Sequence, residues 1–202
     1  MSAQASSAVL GDTWVAKASN KSESLVRNAS LIFGLTALTA LCAQISIPLP
    51  FTPVPLTLQT FAVLGGAAAL GAERAVLAQT LYVGLAWLGL PILAEHKGGS
   101  EVVFGATGGY LVGFIIASLV VGLISKQGAT KNLYGTIAAF AAGTATIYAF
   151  GVGWLAHAIG MTISQAISAG MTPFILGDVI KAAVAGGLLP FVWKSINRGA
   201  DN

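Results

Sequence analysis

The sequence predicts an all-α membrane protein, a six-transmembrane-helix bundle with both termini cytoplasmic. Three observations carry that expectation. Of 202 residues, 55% are hydrophobic and only 8% are charged, against roughly 25% charged in a soluble domain, and the mean hydropathy is +0.82. Apolar runs near the ~20 residues that a bilayer crossing requires recur at about 27–47, 55–71, 75–93, 107–125, 133–155 and 173–193. The cations also take sides. With six crossings, Lys17, Lys21, Arg27, Arg74, Lys126, Lys131, Lys194 and Arg198 share one face and only Lys97 lies opposite. Cytoplasmic connections carry the Lys/Arg excess, which puts both ends of the chain in the cytoplasm of a cell membrane.

This composition excludes a water-soluble globule, and it excludes a disordered chain, which needs low hydrophobicity and many charges. A net charge of +3 from scattered carriers does not make a nucleic-acid surface. A lone cysteine and no Cys/His cluster give neither a disulfide nor a metal site, and no cofactor is expected.

In chain order, residues 1–24 are rich in Ser and Ala and hold Asp12, Lys17, Lys21 and Glu23. They read as a flexible cytoplasmic tail before one membrane domain, 25–202. The first apolar run is longer than a signal-peptide core and lacks a small-residue cleavage site, so it is expected to stay in the chain. In this run Cys42 reads as a small hydrophobe; Leu41 before it argues against a lipoprotein signal. Small residues four apart let helices approach closely in lipid. Such pairs are Thr36 and Ala40, Gly65 and Ala69, Gly109 and Gly113, Ala139 and Gly143, and Ala183 and Gly187.

The first connection holds Pro48, Pro50, Pro53 and Pro55, four of the seven prolines, with Phe51 between them. Proline fixes φ and removes a donor, so the segment reads as a stiff, extended strap. Gln59 follows it closely, placed to touch a solute. The polar groups Gln44, Gln59, Gln79, Tyr82 and Tyr148 in apolar surroundings are expected to make interhelical hydrogen bonds. The connection Glu95-His96-Lys97-Gly98-Gly99 permits close backbone approach at its glycines. No G-x-x-x-x-G-K-[ST] pattern makes it a phosphate loop. Trp14, Trp87, Trp154 and Trp193 fall mostly near span ends, as an interfacial aromatic belt requires.

The sixth span holds Asp178 and Lys181, three residues apart and therefore on one helix face. A charge at bilayer depth costs roughly 2.5–3.5 kcal/mol on insertion scales, so both side chains are expected to face the bundle interior. One reading is a self-neutralising structural pair. The other is a ligand site in which a carboxylate accepts N–H bonds beside an ammonium that meets a carbonyl or carboxylate.

The chain resembles the BioY family, the biotin-specific S components of energy-coupling factor (ECF) transporters. The resemblance spans residues 27–195 and rests on Ile45-Ser46-Ile47-Pro48, Pro53-Val54-Pro55-Leu56-Thr57-Leu58-Gln59-Thr60, Gly89-Leu90-Pro91, the run Gly105 to Phe114, and Gly177-Asp178-Val179-Ile180-Lys181. It implies a six-helix bundle that binds biotin from outside, with transport driven by a transmembrane T component and two ABC ATPase subunits. Matched to the family's Gly-Asp-x-x-Lys motif, Asp178 and Lys181 would contact biotin. Asp178 would accept from a ureido N–H, and Lys181 would meet the ureido carbonyl or the carboxylate. Lys97, Gly98, Gly99, Tyr110, Gln59, Phe51 and Tyr82 complete the expected substrate site. The strap would be a lid, and Thr36 with Ala40 would face the T component. The sequence departs from the family at Ala106, where proline is usual, and at Lys97. A proton-coupled secondary transporter of a small polar carboxylate, titrating at Asp178, is the alternative. An enzyme is disfavoured by the lack of H-E-x-x-H or G-x-S-x-G.

Overall fold

The computed structural model describes residues 9–13 and 20–200, and the side chains of these up to residue 196. Expectations at Trp14, Lys17 and the Arg198 side chain lie outside them. Helix α1 (Leu10–Thr13) is a short turn. Helix α2 (Lys21–Gln44) starts at Asn20, whose side chain accepts from the Glu23 N–H and so satisfies an orphan donor of the first turn. A two-stranded antiparallel hairpin follows: β1 (Ser46–Ile47) pairs with β2 (Leu56–Thr57), Ser46 opposite Thr57. The proline strap is the loop of this hairpin. Then come α3 (Gln59–Leu70), α4 (Ala72–Trp87), α5 (Ser100–Val103), α6 (Gly108–Lys126), α7 (Leu133–Ala158), α8 (Ile163–Gly170) and α9 (Ile175–Ala200).

Among the described residues, four helical stretches are long and apolar enough to cross a membrane: Lys21–Gln44, Gly108–Lys126, Leu133–Ala158 and the run Ile163–Ile196. The chain is an integral membrane protein. The runs expected at 55–71 and 75–93 are shorter as helices. Twelve residues of α3 and sixteen of α4 span about 18 and 24 Å at 1.5 Å per residue, against about 30 Å of hydrocarbon. The hairpin takes residues that would otherwise extend α3. Gly71, at φ +80°, turns the chain sharply between α3 and α4 in a conformation that favours glycine. Gly89 and Pro91 lie just past the end of α4.

Packing is tightest where α6 meets its neighbours. A Cβ on Gly109 would stand 2.2 Å from Trp154 Cβ, one on Gly113 3.0 Å from Ile147 Cα, and one on Gly122 2.3 Å from the Ala72 nitrogen. Bare backbone at these positions lets α6 close on α7 and α4, gaining dispersion contacts that lipid would otherwise supply. By contrast, the pair Ala183 and Gly187 is exposed, and nothing lies within 4 Å of a Cβ on Gly187. Part of the stretch expected as a tail is docked. Val9 and Leu10 are buried, and Asp12 forms a 2.7 Å ion pair with Arg74, which also donates to Asn28 at 3.0 Å.

Candidate functional site

Helix α9 places Asp178 and Lys181 one above the other, their side chains only 12–13% exposed and their charged atoms 3.2 Å apart. Two other helices complete the group. From α7, the Tyr148 hydroxyl donates to Asp178 Oδ2; from α3, Thr60 Oγ1 accepts from Lys181 Nζ at 2.7 Å. A carboxylate has about four acceptor sites and an ammonium three donors. Asp178 therefore keeps roughly two acceptor sites and Lys181 one donor for something else. The pair lines a cavity of about 440 Å³, within the ~300–1,000 Å³ range of small-molecule sites. Its remaining walls come from the hairpin, the 93–97 loop, Glu101 and α6, including Tyr110 and Phe114. An acceptor and a donor side by side in a mostly apolar chamber suit a planar group that carries N–H and C=O together.

A model described as the BioY family matches residues 14–198. The chain belongs to the BioY family. It is 46% identical over 117 residues to the biotin transporter BioY of Thermotoga maritima, covering 58% of this chain and 67% of that one. It is 38% identical to the probable biotin transporter BioY of Pyrococcus horikoshii, covering 66% and 77%. A crystal structure of the S-component for biotin from an ECF-type ABC transporter superposes with a TM-score of 0.77 over 88% of this chain and 95% of that one; at 24% identity the likeness is one of fold.

The fold brings some of the expected site residues together and sets others aside. Asp178, Lys181, Gln59, Tyr110 and Lys97 line the cavity. The Tyr110 hydroxyl is committed to the Gly170 carbonyl at 2.8 Å, so its ring faces the chamber and its polar tip ties α6 to the end of α8. Lys97 stands at the mouth, half-exposed and paired with Glu95. Phe51 sits on the strap away from the cavity wall. It is 65% exposed and outside the lining, and the strap meets the cavity through Pro53 to Leu56 instead. Tyr82 is fully buried and outside the lining; it makes the expected interhelical bond, accepting from Gln59 at 2.8 Å, and donates to the Ile92 carbonyl at 2.9 Å.

Gly98 and Gly99 are likewise outside the lining and shape the loop instead. A Cβ on Gly98 would stand 2.2 Å from the Leu90 carbonyl oxygen. Gly99, at φ +92°, donates its N–H to Ala86 O at 2.7 Å. Thr36 is buried, with its hydroxyl bonded to the Ala78 carbonyl at 2.9 Å, and Ala40 is half-buried against the core. The outward face of α2 carries Phe33, Gly34, Ala37, Leu38 and Leu41.

Tyr82 and Gln59 belong to a clamp on the 92–97 loop. Gln44 donates to the Leu93 carbonyl at 3.1 Å and accepts from the His96 N–H at 3.2 Å. Glu95 and His96 both have left-handed backbone, φ +60° and +57°, which costs about 1–3 kcal/mol per non-glycine residue. Bonds from Gln44 of α2 and Tyr82 of α4, the latter braced by Gln59 of α3, hold that shape and so place Lys97 at the cavity mouth. The sequence reading passed over Thr60 and Tyr148 as ligand-site residues. Tyr148 was expected to make an interhelical bond and does so, with Asp178 as its partner. Thr60 could have been flagged as a hydroxyl beside Gln59 in an apolar run.

Proposed function

We propose that this chain is a biotin-capturing S component of an ECF-type transporter. The observation that carries it is the Asp178–Lys181 pair, held by Tyr148 and Thr60 yet facing a cavity with unused acceptor and donor capacity. A ureido ring offers a complementary N–H and C=O. Asp178 accepts the N–H, and Lys181 donates to the carbonyl. The aliphatic tail then lies along Phe114 and Leu111, and its carboxylate meets Lys97 at the mouth in exchange for Glu95. The names of the relatives support biotin as the ligand.

In this reading α2, α3, α4, α6, α7 and α9 are the six crossings of a cell-membrane domain with cytoplasmic termini, supported by the one-sided cations. The hairpin strap closes over the ligand from outside. A T component and two ABC ATPase subunits supply the energy, with the exposed apolar face of α2 available to the T component. Equilibrium binding of radiolabelled biotin to the purified chain tests the site. Tight binding that collapses in Asp178→Asn and Lys181→Ala is expected; unchanged affinity in both variants removes it. Accumulation in vesicles by the chain alone, abolished by a protonophore, would favour a carrier instead.

A further inference from the structure

Two hollows meet at Tyr148. One is the ligand cavity. The other is an apolar groove of about 740 Å³ between α7, α8 and α9, and Thr144, Tyr148 and Asp178 line both. The form of the groove follows from its residues. At one end α7 and α9 touch, because a Cβ on Gly186 would stand 2.8 Å from Leu133 and 3.1 Å from Ile137. Beyond that contact the residues facing the groove include Ala141, Ala145 and Ala149 on α7 and Ala182 and Ala183 on α9, too small to fill the gap. Helix α8 roofs the other end. It turns Ile163 and Ile167 to the groove and leaves Ser164, Gln165 and Ser168 exposed.

A short helix with one apolar and one polar face lies in a membrane interface, apolar side inward. The roof therefore places the groove at acyl-chain depth. Its Ala- and Ile-lined walls offer water few partners, and a buried water needs two to four. An alkyl chain fits that chemistry. Lys181 lines only the ligand cavity, while Asp178 borders both hollows with its Oδ2 capped by the Tyr148 hydroxyl. A charge facing hydrocarbon is costly, so an alkyl chain has to be kept off the pair.

We propose that Tyr148 is a partition residue: the groove takes an acyl chain of a bilayer lipid, and the Tyr148 ring, pinned to Asp178, keeps that chain out of the ligand cavity. This rests on reading the cavity as a ligand site. It adds a second, lipid-facing site and gives Tyr148 a task that its hydrogen bond alone does not describe.

The full chain in lipid nanodiscs allows two measurements. A nitroxide on Ala149→Cys, in a Cys42→Ala background, reports the groove without any ligand. Power saturation by oxygen, with exclusion of a water-soluble nickel complex, is expected. Ready access of nickel (a water-filled groove), or access of neither reagent (a groove covered by protein), overturns the alkyl occupant. Biotin binding is then titrated against 1-dodecanol. Wild type and Tyr148→Phe should show no dependence on the alcohol, although the phenylalanine variant binds more weakly from its lost bond. Tyr148→Ala should lose about tenfold in affinity as alcohol rises, equivalent to about 1.4 kcal/mol. Ala145→Leu, which narrows the groove, should restore it. Tyr148→Leu replaces the alanine variant if that one fails to elute as a single species. Equal alcohol dependence in wild type and the truncated variant overturns the partition. A wild type that binds no biotin defeats the ligand reading instead, while the nitroxide still decides the groove.

Discussion

Two polar clusters border the same cavity and differ in what they leave free. Around Asp178 and Lys181, bonds from Tyr148 and Thr60 orient the charges without saturating them. Around Tyr82, the bonds run from Gln59 to Tyr82 to the Ile92 carbonyl, with Gln44 fastened beside it to Leu93 and His96. This chain is closed at Tyr82 and Gln44, and only Gln59, at the cavity wall, keeps an acceptor oxygen outside it. Both clusters lie among apolar side chains, where an unpaired polar group is costly. The closed chain converts that cost into rigidity and holds a strained loop. The open one retains capacity, and unused hydrogen-bonding capacity beside a cavity is what a ligand can meet. Hydrogen-bond saturation, more than polarity, therefore separates a binding group from a structural one in this bundle.

The largest test removes the open cluster's charge balance. Lys181→Ala leaves Asp178 buried without its cation, and breaking a buried pair costs about 3–5 kcal/mol. Equilibrium biotin binding should fall by about 100-fold or more; a loss smaller than tenfold would mean that the pair is not the ligand's main contact. Next in size, Thr60→Val keeps the side-chain shape and deletes the acceptor of Lys181. A hydrogen bond to a charged group contributes about 1.5–3 kcal/mol, so affinity should drop about tenfold while Thr60→Ser stays near wild type. Failure of serine to rescue would make Thr60 a packing residue. In the closed cluster, Gln44→Leu should lower thermal stability by about 1–3 kcal/mol from unsatisfied loop groups. That change should move biotin affinity far less than Thr60→Val does. A larger affinity loss in Gln44→Leu would erase the distinction between the clusters.

That distinction also marks how far the sequence could be read. The helical membrane class, and Asp178 with Lys181 on one inward face, followed from hydropathy and three-residue spacing, because both depend only on local period. Thr36 did not follow, since a threonine is equally a small surface residue and a donor to a neighbouring backbone. Only the register of α2 against α4 decides that its hydroxyl meets the Ala78 carbonyl. Phe51 is read from its place in the strap and Tyr82 as a polar group in an apolar run; neither reading carries depth, and tertiary placement sends Tyr82 into the core and Phe51 into the open. The shortness of α3 came from a hairpin whose two-residue strands carry almost no periodic signal.

The smallest effect is the most discriminating about how the ligand lies. Lys97 and Glu95 pair at the mouth, with Lys97 more than half exposed, so their interaction falls in the range of roughly 0–1 kcal/mol typical of solvent-screened pairs. If the ligand's carboxylate meets Lys97, Glu95 is its competitor. Glu95→Gln should then strengthen binding and Lys97→Ala weaken it, each by about two- to fivefold, and both effects should shrink in high salt as screening grows. The methyl ester of biotin removes the anion and should bind both variants like wild type, relative to its own affinity. A ligand lying the other way, with its carboxylate at Lys181, reverses the pattern. The mouth variants would be silent, and the ester would lose affinity through the α9 pair.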